Sequence, residues 1–414
     1  MNSKNAKNDI FSFLKWLILS LITGTVIGTI ASVFAKLLSM AISYRSSHNE
    51  LVMLLPFAGL LIVFLYNTFG KEDRGTNQLI STIKTKDDIP VKSAPLIFVS
   101  TIITHFFGGS AGREGAALQL GGSLGNSIGK IFRLDDDDRH VIVMCGMCAS
   151  FSAVFGTPLA ATAFSMEFIS VGILYYTALF PCIISGYVAK FISGMFGLTG
   201  DAFVVSGIPE LNIKSGLIVI ILGLGCAVVS VLFCKSLGCA EKFYKKYLKN
   251  PYIRIVAASV VFILITIIAG TSDYMGSGSV LIEKAVEEGI SRPQDFLLKI
   301  LLTAIIMKAG FKGGEIVPSL SIGATFGCTF GILTGFPPSF CAACAMVAVF
   351  CGATNCPLTS TFIAFEMFGF KGAPFYVIAI AVSYAVSGYY SLYKTQTIVY
   401  SKYKARYVNK ETTE

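Results

Sequence analysis

The sequence predicts an all-α polytopic membrane protein made of two related halves with broken, tilted helices. Of its 414 residues, 54% are hydrophobic and 14% are charged, and the mean hydropathy is +0.71. A soluble domain carries about 25% charged residues, so most of the surface of this chain is expected to face lipid. A helix needs about 20 apolar residues to cross a bilayer. The unequal apolar stretches between residues 11 and 393 therefore predict helices of unequal length.

The net charge of +9 lies largely in the tails and loops. The apolar run near the N-terminus is longer than a signal-peptide core, so we expect it to be retained. By the positive-inside rule, both termini and the basic central segment 235–254 are expected in the cytoplasm, with the chain crossing the cell membrane several times. The basic residues behind this prediction are Lys4, Lys7, the cluster from Lys235 to Arg254, Lys402, Lys404, Arg406 and Lys410. This charge indicates topology, and nucleic acid is not an expected partner.

Eleven cysteines are spread through apolar segments, and two pairs have C-x-x-C spacing, Cys145/Cys148 and Cys341/Cys344. A metal or redox site would need accessible thiols with charged or imidazole neighbours. The pairs stand among Met, Ala, Val and Phe, which favours small buried hydrophobic residues. We therefore expect no cofactor and no metal site, and a metal carrier that uses these cysteines is a lesser alternative.

Two sequence motifs occur twice along the chain. The first, P-L-x-x-T-x-x-x-x-E, recurs at an offset of 199 residues and matches Pro158, Thr162 and Glu167 with Pro357, Thr361 and Glu366. The second recurs at an offset of 201 residues and matches Gly112, Glu114 and Gly122 with Gly313, Glu315 and Gly323. The repeat predicts one transmembrane domain with halves 10–205 and 212–400, joined by the hydrophilic stretch 200–213. In transporters, halves of this kind enclose a site near the bilayer midplane.

The glycine-rich stretch GGSAGREGAALQLGG, residues 108–122, places charges in apolar surroundings. An intramembrane charge costs about 2.5–3.5 kcal/mol on insertion scales, so Glu114 is expected to face the protein interior or a water-filled path. Gly108, Gly109 and Gly112 predict a loop that enters a helix near this glutamate. The free N–H groups and the dipole of a helix start suit an anion.

The second copy repeats this design with a loop at Gly313 and Gly314, followed by Pro318, which suits a first helical turn. Two helix starts, one from each half, are expected to converge on one dehydrated anion. A structural interpretation stays open for Glu114, because a glutamate in the first turn can cap its helix while Arg113 neutralises it.

Other polar residues are expected to be structural. Glu167 and Glu366 stand at helix ends, where they are expected to make structural hydrogen bonds. Asp135 to Asp138 predict a helix start. No ligand role is assigned to His48, His105 or His140, because their spacing is not typical of a metal site.

The motifs together resemble the CLC family of chloride channels and antiporters. The resemblance rests on five motifs in the family's order and spacing: GREGA at 112–116, FGTPLAATAFSME at 155–167, GGEIVP at 313–318, CPLTSTFIAFEM at 356–367 and SLYKTQ at 391–396. It implies two inverted-topology repeats and a homodimer with a separate anion path in each subunit.

The resemblance also implies roles for particular residues. Glu114 matches the gating glutamate, whose carboxylate competes with the anion and accepts a proton, and Tyr393 matches the tyrosine whose hydroxyl contacts the central anion. The first anion-contacting loop is expected in RGTNQLI at 74–80, with Thr76 or Asn77 in place of the serine of chloride-selective members. The backbone at the two helix starts is expected to bind the anion, through Gly112, Arg113, Gly115, Ile316 and Val317, with Gly313, Gly314 and Glu315 as the second-half motif.

The stretch VSGIPEL at 205–211 resembles a family motif by its letters, but its place in the linker predicts no site role. The chain ends soon after Tyr393, so no cytosolic regulatory domain is expected.

Three departures from the family pattern bear on the substrate. The usual GREGP is GREGA here. Glu315 replaces an apolar residue, which resembles the fluoride-exporting branch, although that branch often has methionine where Thr76 stands. Phe168 follows Glu167 where proton-coupled chloride exchangers carry a second glutamate.

The expected function is CLC-type halide transport, as a channel or a proton-coupled antiporter gated by protonation of Glu114. Chloride is the conservative substrate, and fluoride/proton antiport is the alternative within the family. An intramembrane enzyme with Glu114 and Glu315 as a carboxylate pair is a lesser alternative, so we expect a transporter and no enzyme.

Overall fold

The computed structural model describes residues 3–70, 75–85, 88–404 and 406–413, without the side chains of 3–8 and of Thr85. Arg74 and the side chains of Lys4 and Lys7, which the sequence analysis names, lie outside the described residues. Most of the described chain is helical, which confirms the predicted class of fold. The helices are α1 Ser3–Ser47, α2 Leu55–Phe69, α3 Thr76–Thr85, α4 Ser93–Phe106, α5 Glu114–Ile131, α6 Asp136–Phe155, α7 Pro158–Glu167, α8 Leu179–Met195, α9 Ile213–Tyr247, α10 Pro251–Ala269, α11 Ser279–Val286, α12 Asp295–Ala309, α13 Ile316–Thr334, α14 Pro338–Thr354, α15 Pro357–Phe368 and α16 Ala373–Val386.

The helices differ widely in length, as predicted. Within the described residues, seven helices are long and apolar enough to cross a membrane. The longest, α1 and α9, have 45 and 35 residues, whereas α7 has 10. Long apolar stretches of the sequence are divided into two helices at proline, because Pro158 and Pro357 each stand in the first turn of a new helix.

Matched contacts occur in the two halves. In the first half α5 packs on α6, and in the second half α13 packs on α14. Both contacts depend on glycine, since an added Cβ would lie 2.2 Å from a backbone oxygen of the neighbouring helix at Gly121 and at Gly327. The division into halves 10–205 and 212–400 stays a prediction, and these matched contacts support it.

The two repeated glutamates join the halves by reciprocal helix capping. Glu167, at the end of α7, accepts hydrogen bonds from the N–H groups of Leu358 and Thr359 at 3.0 and 2.9 Å. Glu366, near the end of α15, accepts hydrogen bonds from the N–H groups of Leu159 and Ala160, in the first turn of α7, at 3.1 and 2.9 Å. The first N–H groups of a helix have no acceptor within it, so the carboxylates complete both helix starts. The predicted structural role of these glutamates is confirmed.

Two further structural predictions, the helix start at Asp135 and the burial of the cysteines with C-x-x-C spacing, are also confirmed. Asp135 caps α6, where its side chain accepts a hydrogen bond from the N–H group of Asp138 at 2.9 Å. The four cysteines with C-x-x-C spacing are fully buried among apolar side chains. Among the eleven cysteines, all of which the structure describes, Cys239 alone is exposed.

A small sheet near the C-terminal end was not predicted. It consists of β1 Ser170–Val171, β2 Thr397–Tyr400 and β3 Tyr407–Glu411. β1 pairs with β2 in parallel, and β2 pairs with β3 antiparallel. The sheet joins the last part of the described chain to the segment that follows α7 in the first half.

Candidate functional site

The two glycine loops are hydrogen-bonded directly to each other. The N–H group of Gly112 donates to the carbonyl of Gly314 at 2.7 Å, and the N–H group of Gly314 donates back to Gly112 at 2.7 Å. We call this pair the glycine bridge. An added Cβ on Gly314 would lie 2.4 Å from the nitrogen of Gly115, and one on Gly115 would lie 2.8 Å from the Cα of Gly314. Only glycine permits this approach, which places the starts of α5 and α13 side by side.

Glu114 is the first residue of α5, and its side chain is fully buried. Its Oε2 accepts a hydrogen bond from the N–H group of Arg113 at 2.9 Å, and its Oε1 lies 3.2 Å from Nε of Arg113. The carboxylate therefore already occupies a helix start, where an anion would find N–H donors and a favourable dipole. This position is common to the gating and the capping interpretations.

Arg113 lies between two acids. Besides its contact with Glu114, its Nη2 lies 2.7 Å from Oδ2 of Asp201, a residue of the linker between α8 and α9. A buried charge is tolerated when it is paired, so Asp201 helps to hold the arginine in place. Its guanidinium contacts both carboxylates and its backbone N–H donates to Oε2 of Glu114, so binding of the anion by the backbone of Arg113 stays a prediction.

The start of α13 places a second acid in different surroundings. Glu315 is the N-cap residue of α13, and its side chain is 17% exposed. Its Oε1 lies 3.7 Å from Nζ of Lys308 on α12. Ile316 and Val317, the expected anion-lining residues, are buried in the first turn, and N–H groups of a first turn have no acceptor within their helix.

A cavity of about 320 Å³ brings five predicted residues together. Thr76, Asn77, Gly313, Glu315 and Tyr393 all line it. Gln119, Lys308 and Lys312 line it too, and we call it the lysine cavity. Its hydroxyl, amide and ammonium groups are hydrogen-bond donors, which suits a small anion.

The segment expected to be the first anion-contacting loop is helical from Thr76 onward, as part of α3, and hydrogen bonds connect it to the segment that carries Tyr393. Gln119 donates from Nε2 to Oγ1 of Thr76 at 2.9 Å. Asn77 accepts at Oδ1 from Oγ1 of Thr395 at 3.1 Å. Thr76 and Asn77 are thus fixed beside Tyr393, although more than 300 residues separate them along the chain.

Tyr393 is held between aromatic rings and the C-terminal strands. Its ring meets Phe168 edge-on, with 5.6 Å between centroids, and meets Phe164 at 6.4 Å. Its carbonyl accepts a hydrogen bond from Oγ1 of Thr412 at 2.6 Å. Phe168 therefore forms an apolar wall against Tyr393. It stands where the resemblance implies a second glutamate in proton-coupled chloride exchangers.

A second cavity of about 180 Å³ borders α13 at Val317. Asp201, Ser279 and Glu283 also line it, together with apolar side chains, and we call it the acidic cavity. Asp201 joins it to Arg113, which in turn contacts Glu114. The start of α13 therefore borders both cavities, since Gly313 and Glu315 line the lysine cavity and Val317 lines the acidic cavity.

Four residues of this site were missed in the sequence. Lys308 and Lys312 could have been found from the sequence, because charge is expensive in apolar surroundings. Lys308 stands near the end of the apolar helix α12, and Lys312 stands shortly after it. Gln119 and Asp201 carried no such signal, because their contacts come from distant parts of the chain.

The linker motif VSGIPEL lies away from these groups. Ser206 donates its N–H to Oγ of Ser339, and Gly207 approaches Pro337. Both contacts are at the start of α14.

Comparison with known proteins agrees with these observations. The family model described as voltage gated chloride channel matches residues 58–388. A chloride/fluoride channel protein of Pseudomonas syringae pv. tomato is 33% identical over 397 residues, which cover 94% of this chain and 88% of the relative. An H(+)/Cl(-) exchange transporter, ClcA, of Vibrio cholerae is 26% identical over 391 residues, covering 85% and 81%.

The same agreement holds in three dimensions. The crystal structure of a CLC-type fluoride/proton antiporter superposes with a TM-score of 0.90 at 32% sequence identity, covering 93% of this chain and 98% of that one. The resemblance stated from the motifs is confirmed, and the chain belongs to the family of voltage-gated chloride channels, the CLC family.

Proposed function

We propose that the protein is a fluoride/proton antiporter of the CLC type. The observation that carries the proposal is the glycine bridge, which sets two helix starts side by side, with the acids Glu114 and Glu315 at those starts. Backbone N–H groups bind the anion there, and an acid beside them takes up the proton. We therefore prefer this transport function to the alternatives of an intramembrane enzyme and a metal carrier.

Two features favour fluoride over chloride. Fluoride is small and its charge is concentrated, so it requires strong hydrogen-bond donors, and the lysine cavity offers hydroxyl, amide and ammonium groups. A relative named for both chloride and fluoride is 33% identical and an antiporter named for fluoride is 32% identical, whereas the exchanger named for chloride alone is 26% identical.

Glu114 is proposed as the gating residue. Its carboxylate holds the helix start in the described conformation, so an anion must displace it. Protonation removes its charge and releases it, which couples proton uptake to anion entry. Tyr393, with Thr76 or Asn77, is proposed to hold the anion on the side of the lysine cavity, and the first-turn N–H groups at Gly115, Ile316 and Val317 hold it between the helix starts.

Chloride/proton exchange is the second candidate, because chloride was the conservative expectation and the Vibrio cholerae relative is named for it. The deciding experiment reconstitutes the protein in liposomes and measures fluoride and chloride efflux, each with and without a proton gradient. Fluoride efflux that drives protons in the opposite direction, with slow chloride efflux, is expected. Faster chloride than fluoride efflux would select the second candidate, and halide flux without any proton movement would indicate a channel.

The protein is also proposed to form a homodimer in the cell membrane, with both termini in the cytoplasm. One chain contains both helix starts, both cavities and Tyr393, which supports a complete path in each subunit. Cross-linking in native membranes tests the dimer, and protease accessibility of tags at the two termini tests the orientation.

A further inference from the structure

An open apolar groove lies on the membrane-facing side of α9, α10 and α12, apart from both cavities of the site. Its volume is about 610 Å³, within the range of about 300–1,000 Å³ of small-molecule sites. Alanines from the three helices form its floor, and larger exposed side chains form its walls. The floor residues are Ala240, Ala257, Ala258 and Ala304, and the wall residues are Phe243, Val261 and Leu301.

The groove has a basic end. Arg254 precedes Ala257 and Ala258 by one turn of α10, so it stands on the same face of that helix as the groove. Its Nε donates to the carbonyl of Ala309 at 2.9 Å, at the C-terminal end of α12. Tyr244 closes the floor there, since its hydroxyl donates to the carbonyl of Ile305 at 3.1 Å.

More positive charge surrounds this end. Four exposed lysines follow within the last turns of α9 and the short loop after it: Lys242, Lys245, Lys246 and Lys249. The positive-inside rule places such a cluster at the cytoplasmic surface, where the leaflet carries anionic lipids. A groove that is apolar along its length and cationic at one end is complementary to an anionic lipid.

We propose that this groove binds one anionic glycerophospholipid of the cytoplasmic leaflet, with an acyl chain along the alanine floor and the phosphate at Arg254. The planar guanidinium has five N–H donors and matches phosphate geometry, and one of them is already used to hold the side chain at Ala309. Basic pockets between transmembrane helices bind anionic head groups in this way. The lipid would contact α12, the helix that also carries Lys308 of the lysine cavity.

The test uses the full chain purified in detergent and native mass spectrometry with phosphatidylglycerol or phosphatidylcholine of equal chain length. We expect phosphatidylglycerol to be retained in preference to phosphatidylcholine. Arg254→Gln is expected to weaken that binding about fivefold, as one basic group at an anionic surface does. Ala257→Phe, which fills the groove, is expected to remove the retained lipid.

Lys214→Gln is the matched control. This variant removes the same charge from an exposed lysine of α9, but Lys214 stands in the first turn of that helix, at the opposite end from the basic cluster, so phosphatidylglycerol binding is expected to stay unchanged. Equal retention of the two lipids, or retention that Arg254→Gln does not alter, would mean only unselective surrounding lipid and would overturn the proposal.

Cys239 provides a measurement that needs no variant of the groove. It lines the groove and is the exposed one of the eleven cysteines, all within the described residues. Phosphatidylglycerol is expected to slow its modification by N-ethylmaleimide, and phosphatidylcholine is not. Disulfide-linked dimers through Cys239 on oxidation in membranes would show instead that a second copy of the chain covers the groove, which also contradicts the proposal.

Discussion

The two helix starts share a backbone and differ in what surrounds their acids. Glu114 is fully buried beside Arg113, and Asp201 connects that pair to the acidic cavity. Glu315 is 17% exposed and faces Lys308 in the lysine cavity. The repeat therefore supplies one geometry of N–H donors twice, while the neighbouring side chains give the two acids separate environments. The difference leads us to expect that the two acids have different roles at the proposed anion site.

The largest effect is expected from breaking the geometry that both helix starts share. Gly314→Ala places a Cβ 2.4 Å from the nitrogen of Gly115, which forces the glycine bridge apart. We expect loss of nearly all halide flux in liposomes. Gly216→Ala is the control, since an added Cβ there meets nothing within 4 Å, and alanine favours a helix by about 1 kcal/mol. Normal flux in Gly314→Ala would show that the bridge does not build the site.

The next prediction separates the two acids. Glu114→Gln removes the charge that protonation is proposed to remove, so proton flux is expected to disappear while halide flux continues without pH dependence. Glu315→Gln leaves the start of α5 intact and removes a negative charge that faces Lys308, so it is expected to strengthen halide binding in the lysine cavity while proton flux continues. Halide and proton flux measured in the same liposomes distinguish the two. Unchanged proton flux and pH response in Glu114→Gln would leave the capping interpretation as the better one.

A smaller effect is expected from the hydroxyl of Tyr393. Tyr393→Phe keeps the edge-on contact with Phe168 but removes the proposed hydrogen bond to the anion, and a hydrogen bond to a charged group is worth about 1.5–3 kcal/mol. Halide binding measured by calorimetry is expected to weaken by a factor of about 10 to 150. Tyr403→Phe, at an exposed tyrosine, is the control. Equal halide affinity of the Tyr393→Phe variant and the unaltered protein would show that the hydroxyl does not bind the anion.

The smallest effect concerns Thr412, the residue directly after β3, which helps to hold Tyr393 in place. Thr412→Val removes the hydrogen bond of 2.6 Å to the carbonyl of Tyr393, and a typical hydrogen bond contributes about 1 kcal/mol. The temperature of thermal unfolding in detergent is expected to fall by about 1 °C, with a slight loss of halide affinity. Thr413→Val, whose hydroxyl contact is longer at 3.4 Å, should shift it less. A larger shift from Thr413→Val would contradict the assignment.

The sequence was sufficient for features with local or repeated signals. Glycine next to an isolated acid predicted the two helix starts, and the doubled P-L-x-x-T motif predicted the structural role of Glu167 and Glu366. Contacts between distant segments were beyond it. The pairing of Arg113 with Asp201, the support of Thr76 by Gln119 and the short C-terminal sheet depend on tertiary packing, for which no local pattern exists.

The glycine bridge also bears on how the protein is made. Gly112 and Gly314 are 202 residues apart, and each supplies both a donor and an acceptor to the other. During synthesis, the loop before α5 must wait in the membrane until the second half has been inserted. Such long-range pairing is slow to form and leaves partly folded chains exposed to misassembly. We therefore expect the nascent chain to be most exposed to misassembly in the interval between insertion of its two halves. In that interval chaperones and membrane proteases would encounter the loop at Gly112 without its hydrogen bonds to Gly314.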